Sequence, residues 1–351
     1  MKTSLHELMQ TLWDRFGKNK WMAGEGRQAP EFYAAAFGKH PQWKDFFGVG
    51  IEENGRLADI RGILYDQGIN ANIESGVWGD AAKEMETLSS RFGHDFVWCN
   101  HSDTVAGKIV PSRDQLGRLR PLVGCIHCRN LSHGAALGLA YGELEGLVQR
   151  FAHAASQERA RASLEEACAA VAAKASTDPA NKSRARDPKA ALAWLAARPE
   201  LGPDHRGLVR VLYHLCGHAE THFSDPRKTV SLSSSALPQQ IRVPWGSDDL
   251  QEGAVHWLDF VTAYFRSADE FVLISPFAGS WFDVIVGRPG ARELTCLLQP
   301  LEDLPYTTDI PYDIGADFSR QAEKALAHAA ERDAGHEHGP PPADTTDPSH
   351  T

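Results

Sequence analysis

His214, His218 and His222 recur at every fourth position. On a continuous helix that spacing aligns three imidazoles along one face, a geometry able to hold zinc. Gly217 weakens a helix in the middle of the triplet, and Glu220 follows His218 by two residues, so this is not HExxH, where Glu directly follows the first His. The same histidines also read as solvent-facing or interfacial side chains at a helix end. Cys125 and Cys128 form a CxxC, but a redox CxxC sits at a helix N-terminus, where the dipole lowers the thiol pKa; this pair lies in the apolar, strand-like run PLVGCIHC. Residues three apart on a strand point to opposite faces, which predicts two ordinary core cysteines. The chain has no GxxxxGK[ST] loop, GxGxxG opening or GxSxG elbow, and so lacks the commonest nucleotide and hydrolase signatures.

Two further segments carry ordered polar residues: FGKHPQWKDFF at 37–47 and PSRDQLGRLRPL at 111–122. Each follows a candidate strand. In the second, Pro111 stops the strand, Ser112 and Asp114 can accept backbone N–H groups to close a turn, and Gly117 can take a positive φ. Arg118 is then placed to fork onto a carboxylate. A buried Arg118 held by Asp114 or Asp45 would lock the bases of both loops together. With no His or Cys set beside it as nucleophile or base, structural locking is the preferred reading over catalysis.

The elements that must position these residues follow from periodicity. Leu5, Leu8, Met9, Leu12 and Phe16 predict an amphipathic helix over 4–16. A strand is predicted over 32–37 and a helix over 52–65, with Leu57, Ile60, Ile63 and Leu64 on its apolar face. Short apolar runs at 96–99, 105–110 and 122–127, separated by polar turns, predict an antiparallel meander. From Gly134 to His222 the apolar spacing is helical, broken at 176–188 by STDPANKSRARDP, which reads as an exposed linker. Beyond Pro238 come a helix over 251–265 and strands at 271–275, 281–286 and 294–298.

The expected fold class is therefore α/β (α+β): a mixed, largely antiparallel sheet flanked by helices, with a helical insertion. The organisation is read as helix and linker over 1–30, an α/β core over 31–130, the insertion over 131–228, core-completing strands and helices over 229–330, and a disordered tail over 331–351. Acidic residues outnumber basic ones by 46 to 36, for a net charge of −10, which disfavours electrostatic capture of nucleic acid or anionic lipid. No apolar run approaches the ~18–20 residues of a membrane span, so membrane insertion is not expected. Polar residues interrupt the first apolar stretch, so no secretory signal is read. Six cysteines in 351 residues are too sparse for a disulfide scaffold. A reducing, cytoplasmic location is expected.

The two polar segments resemble the TagF (ImpM) family of type VI secretion accessory proteins, whose signatures read approximately F-x-G-K-[LI]-P-x-x-G-D-F and P-S-x-D-x-x-G-R-x-[FY]-P-L. Gly38, Lys39, Pro41, Asp45 and Phe46 fit the first; Pro111, Ser112, Asp114, Gly117, Arg118, Pro121 and Leu122 fit the second. The chain departs from the pattern where Phe37 adjoins Gly38, where His40 replaces an aliphatic residue, where Lys44 replaces glycine, and where Arg120 replaces an aromatic. The resemblance spans residues 32–128. It implies a non-enzymatic, cofactor-free cytoplasmic protein that regulates type VI secretion after translation, in some systems by engaging a forkhead-associated-domain protein. The other expectations are a metal-dependent hydrolase built on His214, His218 and His222, or a structural subunit of a larger assembly.

Overall fold

In the computed structural model, β1 (Glu31–Lys39), β2 (Phe46–Val49), β3 (His94–Cys99), β4 (Asp103–Val110), β5 (Leu122–Arg129), β6 (Gln239–Pro244), β7 (Phe271–Pro276) and β8 (Trp281–Val286) join in one eight-stranded sheet. The order is β2-β1-β5-β4-β3-β7-β8-β6. The structure describes residues 29–77, 93–100, 103–118, 120–177, 188–201, 206–211, 213–214, 238–264, 268–297, 304–320 and 322–323. The helix expected over 4–16 and the tail expected over 331–351 lie outside them.

Every pairing in the sheet is antiparallel. The joint is β3 against β7, in the register His94↔Pro276 to Cys99↔Phe271, so strands on either side of the helical middle share one sheet. The strands are apolar on both faces because both are covered. On β3, Phe96 and Trp98 enter one apolar cluster while Val97 and Cys99 enter the other. Phe37, Phe96, Phe151, Phe260, Phe271 and Phe282 are fully buried, and each such side chain stabilises the fold by about 1.5–3 kcal/mol.

One face carries α3 (His133–Ala152), α4 (Gln157–Thr177), α5 (Pro188–Ala196) and α6 (Leu250–Tyr264), whose apolar stripes merge into a single cluster with the strands. The helical middle is thus a layer of the core. Its expected linker is shorter than read: Ser176 and Thr177 finish α4, Pro188 opens α5, and the rest lies outside the described residues. No helix among the described residues is long and apolar enough to cross a membrane.

Among the described residues, the opposite face is covered mainly by a helical stretch. It comprises α1 (Gly55–Arg61), a π-wound segment (Gly62–Asn70) and α2 (Ala71–Glu74). Asn54 starts it, its side-chain oxygen accepting from Arg56 N at 3.0 Å and Leu57 N at 3.1 Å. This helix begins later and ends later than the periodicity predicts.

Completing that face, ELTCL forms a 3-10 turn over Glu293–Leu297 and not the strand expected at 294–298, of which Leu298 lies outside the described residues. Local bonds take its backbone out of reach of the sheet. Leu294 N donates to Gly290 O at 3.2 Å, Thr295 N donates to Arg292 O at 3.3 Å, and Glu293 Oε2 accepts from Gly290 N at 2.9 Å. The apolar pattern marks burial in either geometry. The sheet's two edge strands, β2 and β6, were not predicted.

Candidate functional site

The two polar segments meet at the C-terminal end of β1. Gly38 there has a φ of 125°, and a Cβ on it would stand 2.3 Å from the Pro121 carbonyl oxygen, so only glycine lets the second loop lie against the strand. Lys39 follows, and its backbone oxygen accepts from Ser112 Oγ at 2.6 Å.

The first loop is pinned from beneath by His40, which is fully buried. Its Nδ1 accepts from Gln42 N at 3.0 Å, which leaves Nε2–H to donate to the Phe151 oxygen of α3 at 2.6 Å. The ring stacks on Trp43 with centroids 3.5 Å apart. Burial lowers its pKa, opposed by the bond to Phe151, so the ring stays neutral at neutral pH. The departure from an aliphatic residue here is a core side chain with two polar anchors. Pro41 and Asp45 lie on the exposed side of this loop, and Phe46 opens β2.

In the second loop everything converges on Asp114, whose side chain is wholly buried. One oxygen accepts from Leu116 N at 3.0 Å and Arg118 N at 2.9 Å; the other accepts from Arg118 Nε at 2.8 Å and pairs with Lys39 Nζ at 3.1 Å. Gly117, with φ 77°, makes the reversal, its N–H donating to the Asp114 backbone oxygen at 2.9 Å. Burial alone would raise the Asp114 pKa, but the bonds from Arg118 and Lys39 outweigh it and bring it down to about 2. Arg118 Nη2 also donates to the Lys44 oxygen and stands 3.5 Å from Asp45, while Gln115 N donates to the Trp43 oxygen at 3.1 Å.

The sequence-based pairing of Arg118 with Asp114 and Asp45 is present, but the expected burial is reversed. Arg118 is half exposed and Asp45 is 92% exposed; Asp114 is the enclosed member. A short carboxylate can be wrapped by its own turn, whereas a long guanidinium stem reaches out to solvent. Lys39, the second cation on Asp114, was not foreseen as its partner. Leu116 at the loop tip is 59% exposed. The face therefore presents Leu116, Arg118 and Asp45 on a base that its own bonds hold rigid.

The other candidates fare differently. His214 is described, with Nδ1 2.7 Å from the Tyr312 hydroxyl; His218 and His222 lie outside the described residues. Among the described residues, no group of three His, Cys, Asp or Glu is placed to hold a metal ion. Cys125 and Cys128 point into opposite apolar clusters, as predicted, and burial pushes both thiols up to about 12. They are not a redox pair.

Sequence reasoning missed one polar cluster altogether. Glu270 accepts from Trp98 Nε1 at 2.7 Å and Arg56 Nη1 at 3.0 Å, and Arg288 bridges it to Asp59. Beside it, His127 Nδ1 accepts from Asn54 Nδ2 at 3.0 Å, and burial takes His127 down to about 4 against the pull of Asp103. The groups stand up to 229 residues apart in the chain, so no local motif announces them. They tie α1 to the sheet and spend their charges on one another. No protein-family model matches the chain, and no curated protein is significantly similar to it.

Proposed function

We propose that the chain is a TagF-type, non-enzymatic accessory or regulatory protein of a type VI secretion system, acting in the cytoplasm after translation by binding another protein. A forkhead-associated-domain protein or another component of the apparatus is the partner. The observation that supports this best is how the two signature loops meet. Segments 73 residues apart, Arg118 against Asp45, close on one buried aspartate. Asp114, the residue best held for chemistry, is consumed by four internal bonds and does not face solvent. What faces outward is an exposed apolar tip, Leu116, beside the half-exposed Arg118, a residue type enriched where proteins meet.

Deleting and overexpressing the gene should move effector release in opposite directions. Leu116→Asp should melt close to wild type, and Arg118→Ala modestly below it because Asp114 keeps Lys39 and its two backbone donors; both should fail to complement the deletion. Unchanged effector release in both the deletion and the overexpression strain would sink the reading. An Arg118→Ala protein that melts far below wild type would return this residue to a purely structural role.

A further inference from the structure

Beside the two loops runs an open groove of about 690 Å³. We propose that this groove, walled by Lys39, Arg61, Arg118 and Arg120 over Phe46 and Tyr65, receives an acidic extended segment of the partner protein. The inference rests on the reading that this face binds a protein, and it names the chemistry of what is bound.

Four cations line the groove in a chain whose acidic residues outnumber its basic ones by 46 to 36. Two carboxylates, Asp66 and Glu74, line it as well, and Asp66 is 3.3 Å from Arg61. The cations come from three separate elements: the end of β1, the end of α1, and the second loop. The π-wound turn that follows Arg61 brings Tyr65 and Asp66 to the same wall.

Two of the three guanidiniums, those of Arg61 and Arg118, are pre-set. Arg61 lies over the Phe46 ring, 5.0 Å from its centroid, and Phe46 packs edge-on to Tyr65 at 4.8 Å. Arg118 is oriented by Asp114 while half exposed. A planar carboxylate matches such forks, and ordering the arginines beforehand removes part of the entropic cost of binding. The volume falls within the ~300–1,000 Å³ usual for ligand sites, and exposed Leu116 next to Gly117 offers an apolar contact at the rim. A polyphosphate backbone fits less well, because every one of its units is charged and must meet Asp66 and Glu74, whereas a peptide can set neutral residues against those two carboxylates.

The test uses the full chain and a fluorescein-labelled peptide of alternating Glu and Ala, with the Gln–Ala counterpart and oligothymidylate as competing probes, read by fluorescence anisotropy. The Glu peptide should bind, should weaken as salt rises, and should lose about tenfold or more in affinity in the Arg61→Gln/Arg120→Gln double variant. If the double variant melts lower than wild type, the two single variants and the wild-type salt series decide instead. The inference is overturned if the Glu peptide binds no better than the Gln peptide, if binding survives both substitutions, or if oligothymidylate binds equally well through the same arginines.

Complementation separates this inference from the one beneath it. Should peptide binding hold while gene deletion leaves effector release unchanged, the regulatory reading falls and the groove stands. Should deletion alter release while the double variant complements fully, the groove is not where the partner docks.

Discussion

Asp114 shows how one side chain can close two loops. Its enclosure would penalise the charge by itself, yet two backbone N–H groups, Arg118 Nε and Lys39 supply more than burial takes away. Asp114→Asn keeps the shape but strips Lys39 and Arg118 of their counter-ion. We expect a loss of about 1–3 kcal/mol in chemical denaturation at neutral pH, the cost of leaving such donors poorly matched. The pH dependence follows from the direction of the shift. The folded-state pKa, about 2, lies below the ordinary value of 3.8. The stabilisation is therefore complete above the unfolded value and disappears as pH falls from about 4 through about 2. Wild type and Asp114→Asn should converge in stability across that window. Parallel curves down to the acid limit would show that Asp114 carries no such linkage.

Among the elements, β6 and β8 are joined by a buried ion pair and not by apolar contacts alone. Arg242 forks onto Asp283 through Nε at 2.9 Å and Nη2 at 2.7 Å, with both side chains about 95% buried. Burial raises the Asp283 pKa, and the bonds from Arg242 oppose that rise. Arg242→Ala strands the carboxylate, for an expected loss of about 3–5 kcal/mol, whereas Arg242→Met with Asp283→Leu should recover most of it, because two apolar side chains need no partner. Equal loss in the single and double variants would assign the effect to packing volume. β6 went unread because QQIRVP shows only a brief apolar alternation after a proline. The 3-10 turn at 293–297 is not distinguishable from a strand in the sequence, because five apolar-rich residues look alike in both states. The groove wall was only partly legible: Arg61 and Tyr65, four apart, share a face of any helix, whereas Asp66 joins them because the helix is wound wider from Gly62, which residue spacing does not reveal.

At the scale of the molecule, the sheet crosses from β3 to β7 and so binds the two ends of the described chain into one layer. Cleavage between Thr177 and Pro188, where the sequence is polar and holds prolines, should leave the fragments together in native gel filtration, since separating them means breaking a buried strand pair. Fragments that part without denaturant would mean that the joint is weak. By itself the sequence determined the things that local chemistry controls. Short apolar runs placed β1, β3, β4, β5, β7 and β8; the alternation of side chains along a strand put Cys125 and Cys128 on opposite faces; and Asp114 and Gly117 announced a turn with Arg118 in reach of a carboxylate, although the Ser112 hydroxyl donates to the Lys39 oxygen and does not accept within that turn. Tertiary structure alone decided that Asp114, and not Arg118, is enclosed, that Lys39 is its second cation, and that four basic side chains share one groove. Those outcomes depend on which strand ends and helix turns become neighbours, and a contact between residues far apart in the chain leaves no periodic trace in either partner's local sequence.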